Sequence, residues 1–421
     1  MDEILTMLSV DEATEIVLAQ TIVMGTERVA ITDTFGKVLA EDIIARREHP
    51  PWNNSAMDGY AVRWHDIQSV NAGAPAILPI VDEVAAGGLP KQALAEGEAV
   101  SIMTGAPLPE SADTVVRVED TTQEGEHVAI IKAPKKGANI RPRGEDIQIG
   151  QTVISAGQRV RPAELGMLAT AGHVWSQVYQ QPRVSVLATG NELADPGDDL
   201  GPEKIINSNA FSVSGLVRES GAKPLMLHTA SDNREELAAR ILEASAADIA
   251  IVVGGVSVGK YDYVKDVLKE LGCEMHFWRV KMRPGHPVAF GTLKGRAGHR
   301  PTLLFGLPGN PVSCMVAFYQ FVYPALRKMH GLQNAHLPQV EAELLEDIRQ
   351  RPGRRHFARA LTTYDYDAGT YKAKLSGPLG SGILTSMVKA NSLLVLSEER
   401  SDFKAGERVA VQLLPAAVFE N

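Results

Sequence analysis

Val184-Ser185-Val186-Leu187-Ala188-Thr189-Gly190-Asn191-Glu192, Ile249-Ala250-Ile251-Val252-Val253-Gly254-Gly255 and Thr302-Leu303-Leu304-Phe305-Gly306-Leu307-Pro308-Gly309-Asn310-Pro311 repeat one pattern: an apolar run of strand length that ends in glycine. A further apolar run occupies 224–227, and helical spacing of apolar residues appears near 209–220, 233–246 and 262–271. Strand and helix in alternation predict a parallel sheet covered on both faces. Ligands bind such sheets beyond the carboxyl ends of the strands, where all three glycine loops fall. Glycine lets the backbone approach a ligand, and a helix starting just after adds the positive end of its dipole, so an anionic, phosphate-bearing ligand is expected. Asn310 before Pro311 also reads as an N-cap and first helical residue.

The pattern changes on either side. Gln181-Pro182 marks a boundary. Upstream, Ser9-Val10-Asp11-Glu12 is a capping box opening a short helix, 28–150 holds short β-type runs such as 76–81 and 112–118, and 153–174 passes from a strand to an alanine-rich helix. Downstream of His330-Gly331, runs at 340–345, 356–361, 371–375, 393–396 and 408–413 predict a small β-barrel or sandwich. The order is β-rich, α/β, β-rich, and 421 residues are too many for one core.

Composition narrows the class. With 44% hydrophobic and 22% charged residues, a soluble globular protein is expected. Asp2 and Glu3 stand where a signal peptide needs cations, and the longest apolar stretch is broken by Pro308, Gly309, Asn310 and Pro311, so neither export nor a membrane span is expected. Cys273 and Cys314 sit in apolar surroundings and read as buried thiols of a cytoplasmic protein. A formal charge of −9 argues against nucleic acid as a partner and requires a local cationic patch for any anionic ligand.

Trp278-Arg279-Val280-Lys281-Met282-Arg283 supplies candidates: read as a strand, it places Arg279, Lys281 and Arg283 on one face, before the turn Pro284-Gly285-His286-Pro287. Gly254 to Lys260 imitates a P-loop, but Tyr261 stands where Ser or Thr would bind Mg²⁺, which leaves Lys260 as a phosphate contact only. Asp58, Asp146, Glu192, Asp232 and Asp262 are carboxylates that, if they converge, suit Mg²⁺ beside substrate phosphates. No histidine or cysteine spacing suits zinc.

Asn54-Ser55-Ala56-Met57-Asp58-Gly59-Tyr60-Ala61-Val62, Met103-Thr104-Gly105-Ala106-Pro107, Arg143-Gly144-Glu145-Asp146-Ile147, Gly254 to Gly259 with Asp262-Tyr263, and Gly306 to Ser313 together resemble, in the same order, the signatures of the molybdopterin molybdenumtransferases, the family of bacterial MoeA proteins and the E domain of gephyrin. The resemblance covers essentially the whole chain and implies a multidomain α/β plus β fold. It divides the chain into an extended N-terminal domain (1–47 with 151–180), an inserted β-rich domain (48–150), an α/β domain of molybdopterin-binding type (181–333) and a C-terminal β-barrel (334–421). It implies a homodimer whose site lies between subunits, and conversion of adenylylated molybdopterin and molybdate, with Mg²⁺, into molybdenum cofactor and AMP.

On that resemblance Asp58, Asp146, Glu192, Asp232 and Asp262 are catalytic, with Asp232 and Asp262 as metal ligands. Thr104, Arg141, Thr189, Gly190, Gly254, Gly255, Ser257, Pro308 and Gly309 hold the pterin and AMP, while Arg283, His286, Pro287, Ser313, Arg359 and Ser381 hold molybdate. An upstream adenylyltransferase and downstream molybdoenzymes or chaperones are the implied protein partners. The chain departs from the common pattern at Arg283-Pro284-Gly285-His286-Pro287, where lysines are usual at the first and fourth positions. His286 is only partly charged near neutral pH, so His286→Lys is expected to strengthen molybdate use above about pH 7. The alternatives are an adenylyltransferase built on the same α/β domain and a gephyrin-like scaffold without catalysis. The first has no need of the flanking β-rich regions, and the second no need of the acidic set.

Overall fold

The computed structural model describes residues 7–71, 73–198, 201–255, 264–295 and 300–415. They fall into two compact units, Arg28–Phe35 with Leu39–Gln177, and Met1–Glu27 with Gly36–Val38 and Val178–Asn421.

The larger unit opens with helix α1 (Val10–Gln20), whose capping box is intact: Glu12 N–H donates to Ser9 Oγ, and Ser9 N–H to the Glu12 carboxylate. Its central sheet contains β1 (Arg183–Ala188), β2 (Lys223–Met226), β3 (Ile249–Val253), β4 (Glu274–Trp278), β5 (Ala289–Leu293) and β6 (Thr302–Leu307). They lie in the order β2-β1-β3-β6-β5-β4. The first four of that order run parallel, as expected, but β5 runs against them, pairing antiparallel with both β6 and β4. The sheet is therefore mixed rather than wholly parallel. No helix intervenes from β4 to β5, and a parallel crossover needs about a dozen residues or more, usually a helix.

Helices α2 (Ser208–Glu219), α3 (Arg234–Ala244), α4 (Val264–Glu270), α5 (Pro311–Ala317) and α6 (Tyr323–Met329) cover the sheet. Val184, Val186, Ile251 and Phe305 pack with α1, α2, α5 and α6, while Leu187, Val252 and Leu304 pack with α3 and α4. Burial on both faces explains the unbroken apolar runs, and each such side chain contributes roughly 1.5–3 kcal/mol on leaving water.

The segment after β4 is a correction. The expected cationic strand does not continue, because Arg279 takes φ +83 and ends it. The backbone bonds instead go to neighbours: Arg279 N–H to Val288 O, Lys281 N–H to Leu8 O, and Arg355 N–H to Lys281 O. Val280 forms one isolated parallel bridge with Leu8, and Met282–Arg283 regains strand pairing with the C-terminal domain.

That domain contains β7 (Gln339–Leu344), β8 (Arg355–Asp365), β9 (Thr370–Leu375), β10 (Ser392–Leu396) and β11 (Arg408–Leu413). Pairing runs β8-β9-β7-β11-β10 and returns from β10 to β8, which closes a five-stranded barrel and removes its free edges.

The smaller unit is built on a six-stranded sheet in the order Thr114–Arg117, Gly59–Val62, Ala99–Ile102, Ala76–Val84, His127–Ile130, Thr121–Glu124. Gly59 is obligatory there, since a Cβ would lie 1.9 Å from Val116 O.

Candidate functional site

A cavity of about 540 Å³ opens at the carboxyl ends of β1, β3 and β6. Thr189, Gly190, Glu192, Asp232, Gly254, Gly255, Pro287, Pro308 and Gly309 all line it, so the sequence-predicted loops do converge. Its walls need glycine. Gly254 has φ +93 and a Cβ on it would meet Thr189 O at 2.8 Å; Gly190 has φ +145 and a Cβ there would meet the Glu192 carboxylate at 2.6 Å. Ser257 and Asp262, with the imitation P-loop, lie outside the described residues.

The two acidic groups differ in support. Asn191 N–H donates to Asp232 Oδ2 at 3.3 Å and Asp232 N–H to Asn191 Oδ1 at 3.0 Å, so Asp232 is braced through one oxygen. The Glu192 carboxylate folds over Gly190, and no described residue donates to it. Both side chains are exposed. Among the described residues no group of three or more metal-ligating side chains converges. One or two carboxylates with phosphates and water are nevertheless what Mg²⁺ takes, so this donor set fits the ion.

Sequence reasoning missed Asn207, Ser208 and Asn209, which line the cavity at the start of α2. Asn207 Oδ1 accepts from Ala210 N–H as the N-cap, and Asn209 Nδ2 donates to Gly309 O at 2.6 Å while its buried Oδ1 has no described partner. The available signal was the Asn-Ser-Asn triplet at the head of a helical pattern, which is capping sequence.

Behind the cavity lies a cationic cluster. Asn310 and Pro311 open α5 as expected, yet the Asn310 side chain does not cap it; Asn310 Nδ2 donates to Ser381 Oγ at 3.1 Å. Val312 N–H donates to Ser381 O, which ties the 378–383 loop to the helix. Arg359, fully buried, donates to Pro378 O at 2.8 Å, Gly380 O at 3.1 Å and Ser386 Oγ at 3.0 Å. No described carboxylate pairs with it, and burial pulls its guanidinium below arginine's ordinary value. A Cβ on Gly285 would lie 3.2 Å from Ser313 O, which places the turn carrying Arg283, His286 and Pro287 against the start of α5. Arg283, His286, Ser313, Arg359 and Ser381 thus come from segments that meet, although not through the strand face expected from alternation. Cys273 and Cys314 are buried, and desolvation pushes both thiols up to about 12, which rules out a thiolate nucleophile at neutral pH.

The remaining predicted residues sit in the smaller unit. Thr104 donates both its N–H, at 2.7 Å, and its hydroxyl, at 2.8 Å, to Asp58 Oδ1, and these bonds hold the Asp58 carboxyl below the usual carboxylate range. Arg141 lies opposite Asn54 in the short Asn54–Ser55 and Ile140–Arg141 pair, and Asp146 N–H donates to His49 O. Arg141 and Asp146 are exposed.

Three family models match in chain order: the MoeA N-terminal region (domain I and II) at 8–172, the probable molybdopterin binding domain at 185–328 and the MoeA C-terminal region (domain IV) at 341–414. The chain is 37% identical over 396 residues to a molybdopterin molybdenumtransferase of Nostoc sp., covering 93% of this chain and 89% of that one. It is 35% identical over 410 residues to the Haemophilus influenzae enzyme of the same name, covering 96% and 98%. A crystal structure of the molybdopterin biosynthesis MoeA protein from Pyrococcus horikoshii superposes with a TM-score of 0.79 at 29% identity, over 97% of this chain and 100% of that one.

Proposed function

This chain belongs to the molybdopterin molybdenumtransferase family, transferases of molybdenum cofactor biosynthesis, and on that premise we propose that it inserts molybdate into adenylylated molybdopterin with Mg²⁺, releasing AMP. The observation that carries the proposal is the juxtaposition of two kinds of group. Exposed carboxylates, Glu192 and Asp232, stand in a glycine-walled cavity at the carboxyl end of a sheet, and the buried Arg359 cluster adjoins it through Asn310 and Ser381. Breaking a phosphoanhydride while a dianion enters concentrates negative charge, and the remedy is fixed donors and cations already in place.

The glycine loops and the start of α2 would orient the pterin phosphate and AMP, with Asn209 Oδ1 accepting from the ligand. Asp232, Glu192 and Asp262 would hold Mg²⁺, which when bound would supply charge neutralisation on the phosphates. Arg283, His286, Pro287, Ser313, Arg359 and Ser381 would hold the oxyanion. Asp58, Thr104, Arg141 and Asp146 would be supplied by a second copy in a homodimer, within the four-domain division 1–47 with 151–180, 48–150, 181–333 and 334–421. A cytoplasmic enzyme, receiving substrate from an adenylyltransferase and passing product to molybdoenzymes or their chaperones, completes the proposal. No helix among the described residues is long and apolar enough to cross a membrane. Matches at 8–172 and 341–414 weigh against a stand-alone adenylyltransferase, and the exposed acidic pair against a scaffold without catalysis.

The test is AMP release from adenylylated molybdopterin with molybdate and Mg²⁺, read together with activation of an apo-molybdoenzyme. Release no faster than without protein would refute the proposal. Mixing and re-equilibrating Asp58→Ala with Asp232→Ala, each inactive alone, should restore about a quarter of wild-type activity, because about half the dimers are mixed and each has one intact site. No restoration would remove the shared site.

A further inference from the structure

The turn that carries Arg283 fixes the proton of its neighbouring imidazole. His286 Nδ1 lies 2.7 Å from Val280 O, and a carbonyl oxygen can only accept, so Nδ1 carries the hydrogen. The neutral ring then presents a bare lone pair at Nε2, for which the described residues offer no partner. A lone pair repels an oxyanion oxygen; an N–H attracts it. The imidazole can therefore bind an anion through Nε2 only as imidazolium. We infer that oxyanion binding here is proton-coupled: His286 takes up a proton from solvent at Nε2 when molybdate binds beside Arg283 and returns it when the anion leaves. This rests on the reading of the cluster as the molybdate site.

The surroundings support the direction. Burial, and after it Arg354 and Arg279, hold the empty-site imidazole below the ordinary histidine value against the opposing pull of the Val280 carbonyl. The same turn also bears Lys281 and Arg283, and the strand beside it Arg355 and His356. Helix α5 and the 378–383 loop bring no charged side chain. With cations on two sides and no carboxylate facing it among the described residues, His286 is neutral at neutral pH until a dianion reverses the local field.

His356 is the other imidazole within reach, in register with Arg283, and it is excluded. It is buried with Nδ1 unpartnered, and desolvation followed by Arg283 and Arg359 drives it down to about 4. The sign follows from linkage: anion binding raises the His286 value, so affinity is full below the empty-site value, falls by at most about tenfold per pH unit as pH rises, and levels off above the bound-site value.

Calorimetric titration of the full-length protein with sodium molybdate, in two buffers of different ionisation heat at about pH 7.5, reads the proton directly, and repeats from about pH 6.5 to about pH 8.5 read the affinity. Wild type should take up a fraction of a proton per molybdate and bind more weakly as pH rises. His286→Lys and His286→Gln should abolish uptake and flatten the pH profile, with the lysine variant tighter than wild type at the alkaline end. His356→Gln should retain uptake. Molybdate binding without uptake in the wild type, or uptake surviving in both His286 variants, would overturn the inference while leaving the molybdate site standing. A flat titration in every buffer and variant would overturn both.

Discussion

Glu192 and Asp232 stand on exposed loops, the first with no described donor to its carboxylate and the second with one, from Asn191 N–H, whereas Arg359 is fully buried and directs its guanidinium at three backbone carbonyls and a serine hydroxyl. The contrast follows from the cost of each placement. An exposed carboxylate keeps its water and can wait for a cation at no expense to the fold. A buried cation loses its water, and without acceptors already arranged its desolvation would amount to several kcal/mol. The acidic side can therefore be altered with little effect on folding, and the cationic side cannot.

The largest separation of activity from stability is expected at Asp232. Asp232→Ala should reduce AMP release by about a thousandfold or more while leaving thermal unfolding within about 0.5 kcal/mol of wild type, as for other exposed positions. A large fall in stability, or a near-normal rate, would break the contrast from the acidic side.

Arg359→Met is the counterpart. It removes the charge but leaves Pro378 O, Gly380 O and Ser386 Oγ without their donor. Each buried group left unpaired costs about 1–3 kcal/mol, so unfolding should be eased by about 3 kcal/mol, together with a rise of about a hundredfold in the molybdate concentration needed for half-maximal AMP release. Arg359→Lys should recover part of the stability and little of the molybdate affinity, because an ammonium cannot reproduce the planar fork. Unchanged stability in Arg359→Met would show that the carbonyls find water, and the two sides would then not differ in kind.

The same contrast explains what could be read from residues alone. The carboxyl-end loops were legible because each lies next to its own strand: Gly190, Gly254 and Gly309 follow apolar runs whose length and continuity declare them buried, and the sheet does the rest. The strands of the barrel were legible for a similar reason, from strand runs that alternate with polar connectors, but the runs left barrel and sandwich open and only the family resemblance chose the barrel. The cationic cluster is assembled from separate segments carrying Arg283, Ser313, Arg359 and Ser381, and no local period registers such an assembly. Only family resemblance grouped Arg283, Ser313, Arg359 and Ser381. Alternation at 278–283 misled, because burial of Val280 and Met282 is met by a backbone that turns at Arg279 rather than by a strand. The reversed β5 was missed since nothing in a short apolar run declares its direction.

Asn310 belongs to both sides and yields the smallest, sharpest effect. It lines the cavity, yet its side chain reaches Ser381 instead of the α5 amides that its position would let it cap. Helix-end stability has in effect been exchanged for a tie to the oxyanion loop. Asn310→Asp restores a strong cap and the favourable charge at a helix start, worth up to about 1 kcal/mol, and puts an acceptor-only carboxylate where Ser381 Oγ now accepts. The Ser381 hydroxyl could then serve only by turning to donate, and the added negative charge would face the molybdate. The expected result is an unfolding temperature equal to or slightly above wild type, with the half-maximal molybdate concentration raised about tenfold and the dependence on adenylylated molybdopterin nearly unchanged. Differential scanning calorimetry and substrate titrations separate the two readouts. An equal rise for both substrates would mean that Asn310 acts through the cavity as a whole, and the acidic and cationic sides would then have to be treated as one continuous wall.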